Sequence, residues 1–100
     1  MFTTIVLAPT ISAFERYVRY IERDKLGYWD ITRNIVTYGS TRYIYLRGTA
    51  DRLRGLTPGR VVQLRNWQLS FKPDELEDVE IQLQLFATAY KTSVDYTPFF

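Results

Sequence analysis

The sequence predicts one small α/β domain, in which a mixed sheet of about four strands is covered by helices. Three observations indicate this class. The chain has 100 residues, 46% of them are apolar, and short β-branched runs alternate with segments of helical periodicity. The predicted order is strand, helix, strand, strand, helix, strand, helix, and the whole chain, residues 1–100, forms the domain.

The first two elements are an apolar run and a capped amphipathic segment. Residues 2–8 are apolar or β-branched and predict a buried strand that Pro9 stops. Thr10 or Ser12 can cap the helix that follows, and Gly27 ends it. The apolar stripe of this helix consists of Phe14, Tyr17, Val18 and Ile21.

The middle of the chain contains strand signals and turn residues. Residues 29–38 and 41–47 predict two strands, joined by a tight turn at Gly39 and Ser40. Residues 49–56 can form a short helix. A turn then leads to another strand over residues 60–64.

The C-terminal third predicts an amphipathic helix over residues 73–91 and a tail over residues 93–100. Pro73 suits the first helical position, and the acidic side chains after it suit the positive end of the helix dipole. The tail either packs on the core or is exposed. A ferredoxin-like α+β sheet is the alternative arrangement of the same elements.

The sequence contains no cysteine and no histidine. This excludes disulfides and zinc sites built on thiolate or imidazole ligands, and it favours a reducing, cytoplasmic location. The apolar run near the start is too short for a signal peptide or a membrane span. We therefore expect no cofactor, no metal and no membrane partner.

Charge is unevenly distributed along the chain. Residues 1–70 contain eleven Lys and Arg against five Asp and Glu, whereas residues 71–100 contain two against six, which gives the net charge of +2. A basic body with an acidic C-terminal segment predicts either polyanion binding or a tail that partly screens the charge of the body. The alternative is a charged surface that only keeps the domain soluble.

Motifs that would indicate catalysis are missing. No phosphate-binding Gly-x-x-x-x-Gly-Lys-Ser/Thr loop occurs, and no Gly-x-Gly-x-x-Gly fingerprint follows the first strand. The serines have no histidine to activate them. The carboxylate pairs Asp74-Glu75 and Glu77-Asp78 lie where a helix start favours them. We therefore predict that the protein is not an enzyme and has no catalytic residues.

Four segments form a further pattern: a strand, Gly-Ser turn and strand over residues 35–46, an Arg-Gly loop over 51–56, a strand over 60–64, and an earlier strand and turn over 4–10. Together they resemble the ATPase domain of tailed-phage terminase large subunits, the DNA-packaging motors. The Walker A segment is missing, and residues 65–67 replace the Walker B acids. The resemblance implies a phage or viral protein in the host cytoplasm that binds DNA, or a nucleic-acid-processing protein, without ATP hydrolysis.

A candidate nucleic-acid surface follows from alternation along the strand over residues 41–47. Tyr43, Tyr45 and Arg47 share one side and can stack with bases, whereas Arg42, Ile44 and Leu46 share the other. The candidate nucleic-acid-binding residues are Arg42, Tyr43, Tyr45, Arg47, Arg52, Arg54, Arg60 and Arg65. The alternative is that both tyrosines pack beneath a helix and that the loop arginines bind carbonyls or carboxylates.

A second hypothesis is protein interaction without nucleic acid. Trp67, Phe99 and Phe100 are large apolar side chains that can anchor a partner or a second copy of the chain. The protein would then be an adaptor or inhibitor, with homo-oligomers as one outcome.

Overall fold

The computed structural model describes residues 1–23, 25–30 and 32–100, and its centre is a six-stranded mixed sheet. The strands are β1 (Phe2–Leu7), β2 (Tyr28–Asp30), β3 (Ile35–Tyr38), β4 (Thr41–Tyr45), β5 (Arg60–Leu64) and β6 (Ser93–Thr97). Their spatial order is β2-β3-β4-β1-β5-β6. Strands β4, β1, β5 and β6 run parallel, and β3 runs antiparallel to β2 and β4. The predicted mixed α/β sheet is confirmed, with two more strands than expected.

Two α-helices, α1 (Ile11–Glu22) and α2 (Leu76–Ala89), cover opposite faces of the sheet. Val6 packs with residues of α1, whereas its neighbours Ile5 and Leu7 pack with residues of α2. Adjacent strand residues point to opposite faces, so the sheet has an α1 face and an α2 face. The central strands of this sheet run parallel, and a helix covers each face. The ferredoxin-like alternative is therefore wrong.

Three short 3₁₀ helices complete the α2 face: Ala50–Arg52, Trp67–Ser70 and Pro73–Glu75. The short helix expected over residues 49–56 is therefore a single 3₁₀ turn. The helix expected to begin at Pro73 begins as 3₁₀ and becomes α-helical at Leu76. Acidic side chains do occupy this start, as the helix dipole favours.

Strand β1 lies at the centre of the sheet because it is apolar on both sides. Ile5, Val6 and Leu7 are each 0% exposed. A strand with parallel neighbours on both sides and a helix on each face has no polar side, which explains the uninterrupted apolar run.

Helix α1 begins where the sequence predicts and ends earlier. The Thr10 hydroxyl accepts a hydrogen bond from the Ala13 amide at 3.1 Å, so Thr10 is the cap. Phe14, Tyr17 and Val18 are buried, but Ile21 is 43% exposed and is not part of the core stripe. The helix ends at Glu22, before the predicted end at Gly27. Asp24, within the predicted helix, lies outside the described residues.

The strand predicted over residues 29–38 is a hairpin of β2 and β3. Residues 32–34 form the turn, in which Asn34 adopts a left-handed conformation with φ of 55°. Asp30 supplies a side-chain acceptor for the Arg33 amide at 3.2 Å. Asp and Asn favour such turns, and this local chemistry breaks the strand. Ile31, also within the predicted strand, lies outside the described residues.

The predicted tail contains the sixth strand. Strand β6 pairs in parallel with β5, from Arg60 opposite Ser93 to Leu64 opposite Thr97. Only the last residues form a tail, and Phe100 packs on the rings of Tyr17 and Tyr20. Within the described part of the chain, neither helix has the length and apolar character needed to cross a bilayer.

Candidate functional site

A groove of about 560 Å³ lies on the α2 face, over strands β3 and β4. Helix α2 and the 3₁₀ helix Trp67–Ser70 pack on β1 and β5 instead, through Val79, Phe86 and Trp67. The side chains of β3 and β4 that point to this face therefore form a floor that neither α1 nor α2 covers. Its apolar part consists of Ile35, Ile44, Leu46 and Leu56.

Four arginines line this groove: Arg33, Arg42, Arg47 and Arg52. Three separate segments supply them. Arg33 comes from the turn between β2 and β3, Arg42 and Arg47 from β4 and the residues after it, and Arg52 from the first 3₁₀ helix. We call this site the arginine groove.

No carboxylate lies among the lining residues that the structure describes. Across residues 1–23, 25–30 and 32–100, the ion pairs are Lys25 with Glu22 at 3.6 Å, Arg60 with Asp95 at 2.8 Å, and Arg54 with Asp51. None of these pairs involves an arginine of the groove. Clustered charge of one sign beside apolar walls concentrates the electrostatic potential, so the groove attracts anions.

Arg42 lies deepest in the sheet among these arginines. It is half-buried, and it stands beside Thr3 of β1 and Thr37 of β3 in the strand register. Its Nη2 donates a hydrogen bond to the Thr3 hydroxyl at 3.3 Å. Its Nε is buried and has no hydrogen-bond partner among the described residues.

Tyr43 and Tyr45 are core residues, so the prediction that they stack with bases is wrong. They are 6% and 4% exposed and lie on the α1 face. Tyr45 packs on Phe14 with ring centroids 5.5 Å apart, and the Tyr43 hydroxyl donates to Glu22 Oε2 at 3.1 Å. Burial raises the pKa of both phenols, and for Tyr43 the bond to Glu22 raises the pKa further. The alternative hypothesis, that both tyrosines pack beneath a helix, is confirmed.

The prediction that Arg42, Ile44 and Leu46 share one face is confirmed, since all three line the groove. The prediction that Arg47 lies on the opposite face is wrong. Strand β4 ends at Tyr45, and beyond this point the chain no longer alternates between faces. Arg47 therefore lines the groove with Arg42 instead of sharing a face with the tyrosines.

The other predicted nucleic-acid residues lie away from the groove lining. Arg54 is exposed and pairs with Asp51. Arg60 points to the α1 face, since it lies two residues before Val62 in β5, and it pairs with Asp95. Arg65 is exposed beyond the end of β5. Sequence reasoning missed Arg33, and the signal that could have found it is the Asp30–Asn34 turn chemistry.

The residues predicted to bind protein have three different environments. Trp67 is 3% exposed and packs on Phe71 in the core, so its prediction as a surface anchor is wrong. Phe100 is half-buried against Tyr17, whereas Phe99 is 85% exposed. Phe99 and Phe100 line a second cavity of about 570 Å³ on the α1 face.

No group of three or more Asp, Glu, His or Cys side chains arranged to hold a metal occurs among the described residues. Comparison with protein-family models, with curated protein sequences and with solved structures gives no match to this chain. The interpretation of the site therefore depends on its own geometry.

Proposed function

We propose that this protein binds DNA through the phosphate backbone, using the arginine groove, and carries out no catalysis itself. The observation that supports the proposal is the convergence of four arginines from three segments on one groove whose described lining contains no carboxylate. Under this proposal, the resemblance to terminase ATPase domains reflects a DNA-facing surface that is kept without the hydrolytic residues.

Arginine suits this role because its planar guanidinium matches the oxygens of a phosphate and stays charged at any physiological pH. The apolar floor formed by Ile35, Ile44 and Leu46 strengthens each charge interaction, since it lowers the local dielectric constant. A sugar ring can also pack on such a floor.

The groove is suited to the backbone and not to exposed bases. Among its described lining residues, the one aromatic is Tyr45, which is 4% exposed. Single-strand binders depend on exposed aromatic rings that stack with bases. We therefore propose that duplex DNA is bound without base stacking and with little sequence preference.

The affinity for duplex DNA is expected to fall steeply with salt. Four phosphate contacts predict a slope of about −3.6 for log K against log salt concentration. Arg52→Gln is expected to reduce the size of this slope by about one, because one contact is lost. Fluorescence anisotropy with a labelled duplex measures both values.

The matched control for this titration is Arg16→Gln. Arg16 is an exposed residue of α1 and does not line the groove, yet the change in net charge is the same. Its slope is expected to equal that of the wild type. Absence of binding at low salt, or equal effects of Arg16→Gln and Arg52→Gln, would show that the groove does not bind DNA.

An adaptor role is the second candidate, and the exposed aromatic side chains beside the second cavity favour it. Tyr20, Tyr96 and Phe99 are 52%, 58% and 85% exposed around this cavity. Large aromatic side chains are enriched at the centres of protein interfaces. Under this alternative, a partner protein contacts the α1 face and no nucleic acid is bound.

A further inference from the structure

Strand β6 forms one edge of the sheet, and its outer side pairs with no other strand among the described residues. The Ser93 amide donates to the Gly59 carbonyl at 3.3 Å, so Ser93 directs its backbone groups to β5. Successive residues of a strand direct their N–H and C=O groups to alternate sides. The backbone groups of Val94 and Tyr96 therefore point away from β5 and form an open hydrogen-bonding edge.

This edge lacks the features that commonly protect the edges of natural sheets. Protected edges are often very short, or they contain lysine, proline or a bulge. The opposite edge, β2, follows this rule with three residues. Strand β6 has five residues, Ser-Val-Asp-Tyr-Thr, and pairs with β5 without a bulge. Its one charge, on Asp95, is compensated by Arg60 at 2.8 Å. Such an edge is suited to pairing with a further strand.

Neither α-helix blocks the approach to this edge. On the α1 face, the second cavity, of about 570 Å³, lies between Tyr17 of α1 and Thr97 of β6. On the α2 face, a groove of about 550 Å³ lies between Leu83 of α2 and Tyr96 of β6. A strand added in the plane of the sheet can therefore reach β6 without contact with either helix.

A second copy of the chain suits this edge because β6 is complementary to itself. Two β6 strands that run antiparallel about a two-fold axis at Asp95 place Val94 opposite Tyr96 of the other copy, on the α2 face. Pairs of aromatic and β-branched side chains stabilise neighbouring strands, and Ser93 opposite Thr97 gives a further favourable pair on the α1 face. Val94 and Tyr96 of the other copy also exchange their outward backbone hydrogen bonds.

The charges at the centre of this contact are also complementary. Two Asp95 carboxylates face each other across the axis, and each is paired with the Arg60 of its own copy. That pair uses Nε of Arg60, and its terminal nitrogens have no hydrogen bond to the described residues. They are therefore available to the carboxylate of the second copy. Like charges directly opposite each other destabilise a strand pair, so the arginines are what make this register favourable.

We propose that two copies of this chain associate through β6, in an antiparallel pairing centred on Asp95 that makes one continuous sheet. The arginine groove lies over β3 and β4, away from this edge in the strand order, so the contact leaves the groove accessible. The association goes beyond the proposed function and does not depend on it.

Sedimentation equilibrium of the protein without DNA tests the association. A contact between two short strands is small, so we expect a weak dimer, whose apparent mass rises from that of one chain towards that of two as the concentration approaches about 1 mM. Tyr96→Pro removes an outward N–H that β5 does not use, and it is expected to weaken the dimer at least about tenfold while the chain stays folded. Tyr96→Phe keeps the N–H and the ring, and is the matched control. Circular dichroism checks the fold of each variant.

Arg60→Gln tests the register, because it leaves two Asp95 carboxylates opposite each other without a cation. It is expected to weaken the dimer at least about tenfold, and the addition of Asp95→Asn is expected to restore the affinity to within about threefold of the wild type. If Tyr96→Pro does not fold, these two variants decide alone.

A chain that stays monomeric up to about 1 mM, or a dimer that a folded Tyr96→Pro variant does not weaken, would overturn the proposal. A dimer that Arg60→Gln leaves unchanged, or that Asp95→Asn fails to restore, would overturn the pairing centred on Asp95. Because DNA is absent from these measurements, neither result affects the proposed function, and a failure to bind DNA leaves the dimer as it is.

Discussion

Replacement of Phe14 by alanine is expected to lower the free energy of unfolding by about 3–5 kcal/mol. Phe14 is 1% exposed and lies between the rings of Trp29 and Tyr45, with centroids 6.2 Å and 5.5 Å away. Its removal leaves a cavity that these rigid rings cannot fill. A domain of this size is stable by only about 5–15 kcal/mol, so the variant loses a large share. Urea unfolding followed by circular dichroism measures the loss.

Ile21→Ala is the matched control for this variant on the same helix. Ile21 is 43% exposed, so its truncation is expected to cost less than about 1 kcal/mol. Equal losses for Phe14→Ala and Ile21→Ala would contradict the packing of α1 on the sheet through Phe14. This packing also affects the arginine groove. Phe14 packs on the α1 face of β4, and Arg42 lies on the opposite face of the same strand.

Arg42→Gln combined with Arg52→Gln is expected to weaken duplex DNA binding at low salt at least about a hundredfold. Hydrogen bonds to charged groups contribute about 1.5–3 kcal/mol each, and each 1.4 kcal/mol is a factor of ten in affinity. Stability is expected to be unchanged or higher, because Arg42 is a half-buried charge with no carboxylate partner among the described residues. Anisotropy gives the affinity, and urea unfolding gives the stability.

Arg16→Gln combined with Arg65→Gln removes the same two charges from positions outside the groove lining. Measured at the same salt concentration, this control is expected to change the affinity much less than the groove variant does, since neither arginine lines the groove or contacts DNA bound there. A loss equal to that of the groove variant would show that net charge, and not the groove, attracts DNA.

Local patterns in the sequence were sufficient to predict the elements that bury at least one whole face in the core. The apolar run of β1, the cap at Thr10 and the stripe of Phe14, Tyr17 and Val18 are confirmed because each is a property of neighbouring residues. Strand β6 was missed for the opposite reason. Its sequence is mostly polar, and pairing with β5, more than thirty residues earlier in the chain, is what makes it a strand.

The site was only partly predictable from the sequence. The alternation of side chains along a strand assigns each residue to one of two faces, but it does not show which face a helix covers. The face with Tyr43 and Tyr45 packs under α1, and the face with Arg42 is the open one. Arg47 joined Arg42 because the strand ends before it, and Arg33 depends on a turn that the pattern of residues 29–38 does not mark clearly. Long-range topology, which a single sequence does not display, decides which face is covered, whereas the positions of Arg33 and Arg47 depend on where β2 and β4 end.

Chemical-shift mapping by NMR, with nitrogen-labelled protein and a short DNA duplex, tests most directly whether the arginine groove binds DNA. The largest amide shifts are expected to cluster at Arg33, Arg42, Arg47 and Arg52 and at their neighbours on β3 and β4. They are expected to disappear in the variant with Arg42→Gln and Arg52→Gln. Shifts that cluster instead at Tyr20, Tyr96 and Phe99, or no shifts at low salt, would contradict it.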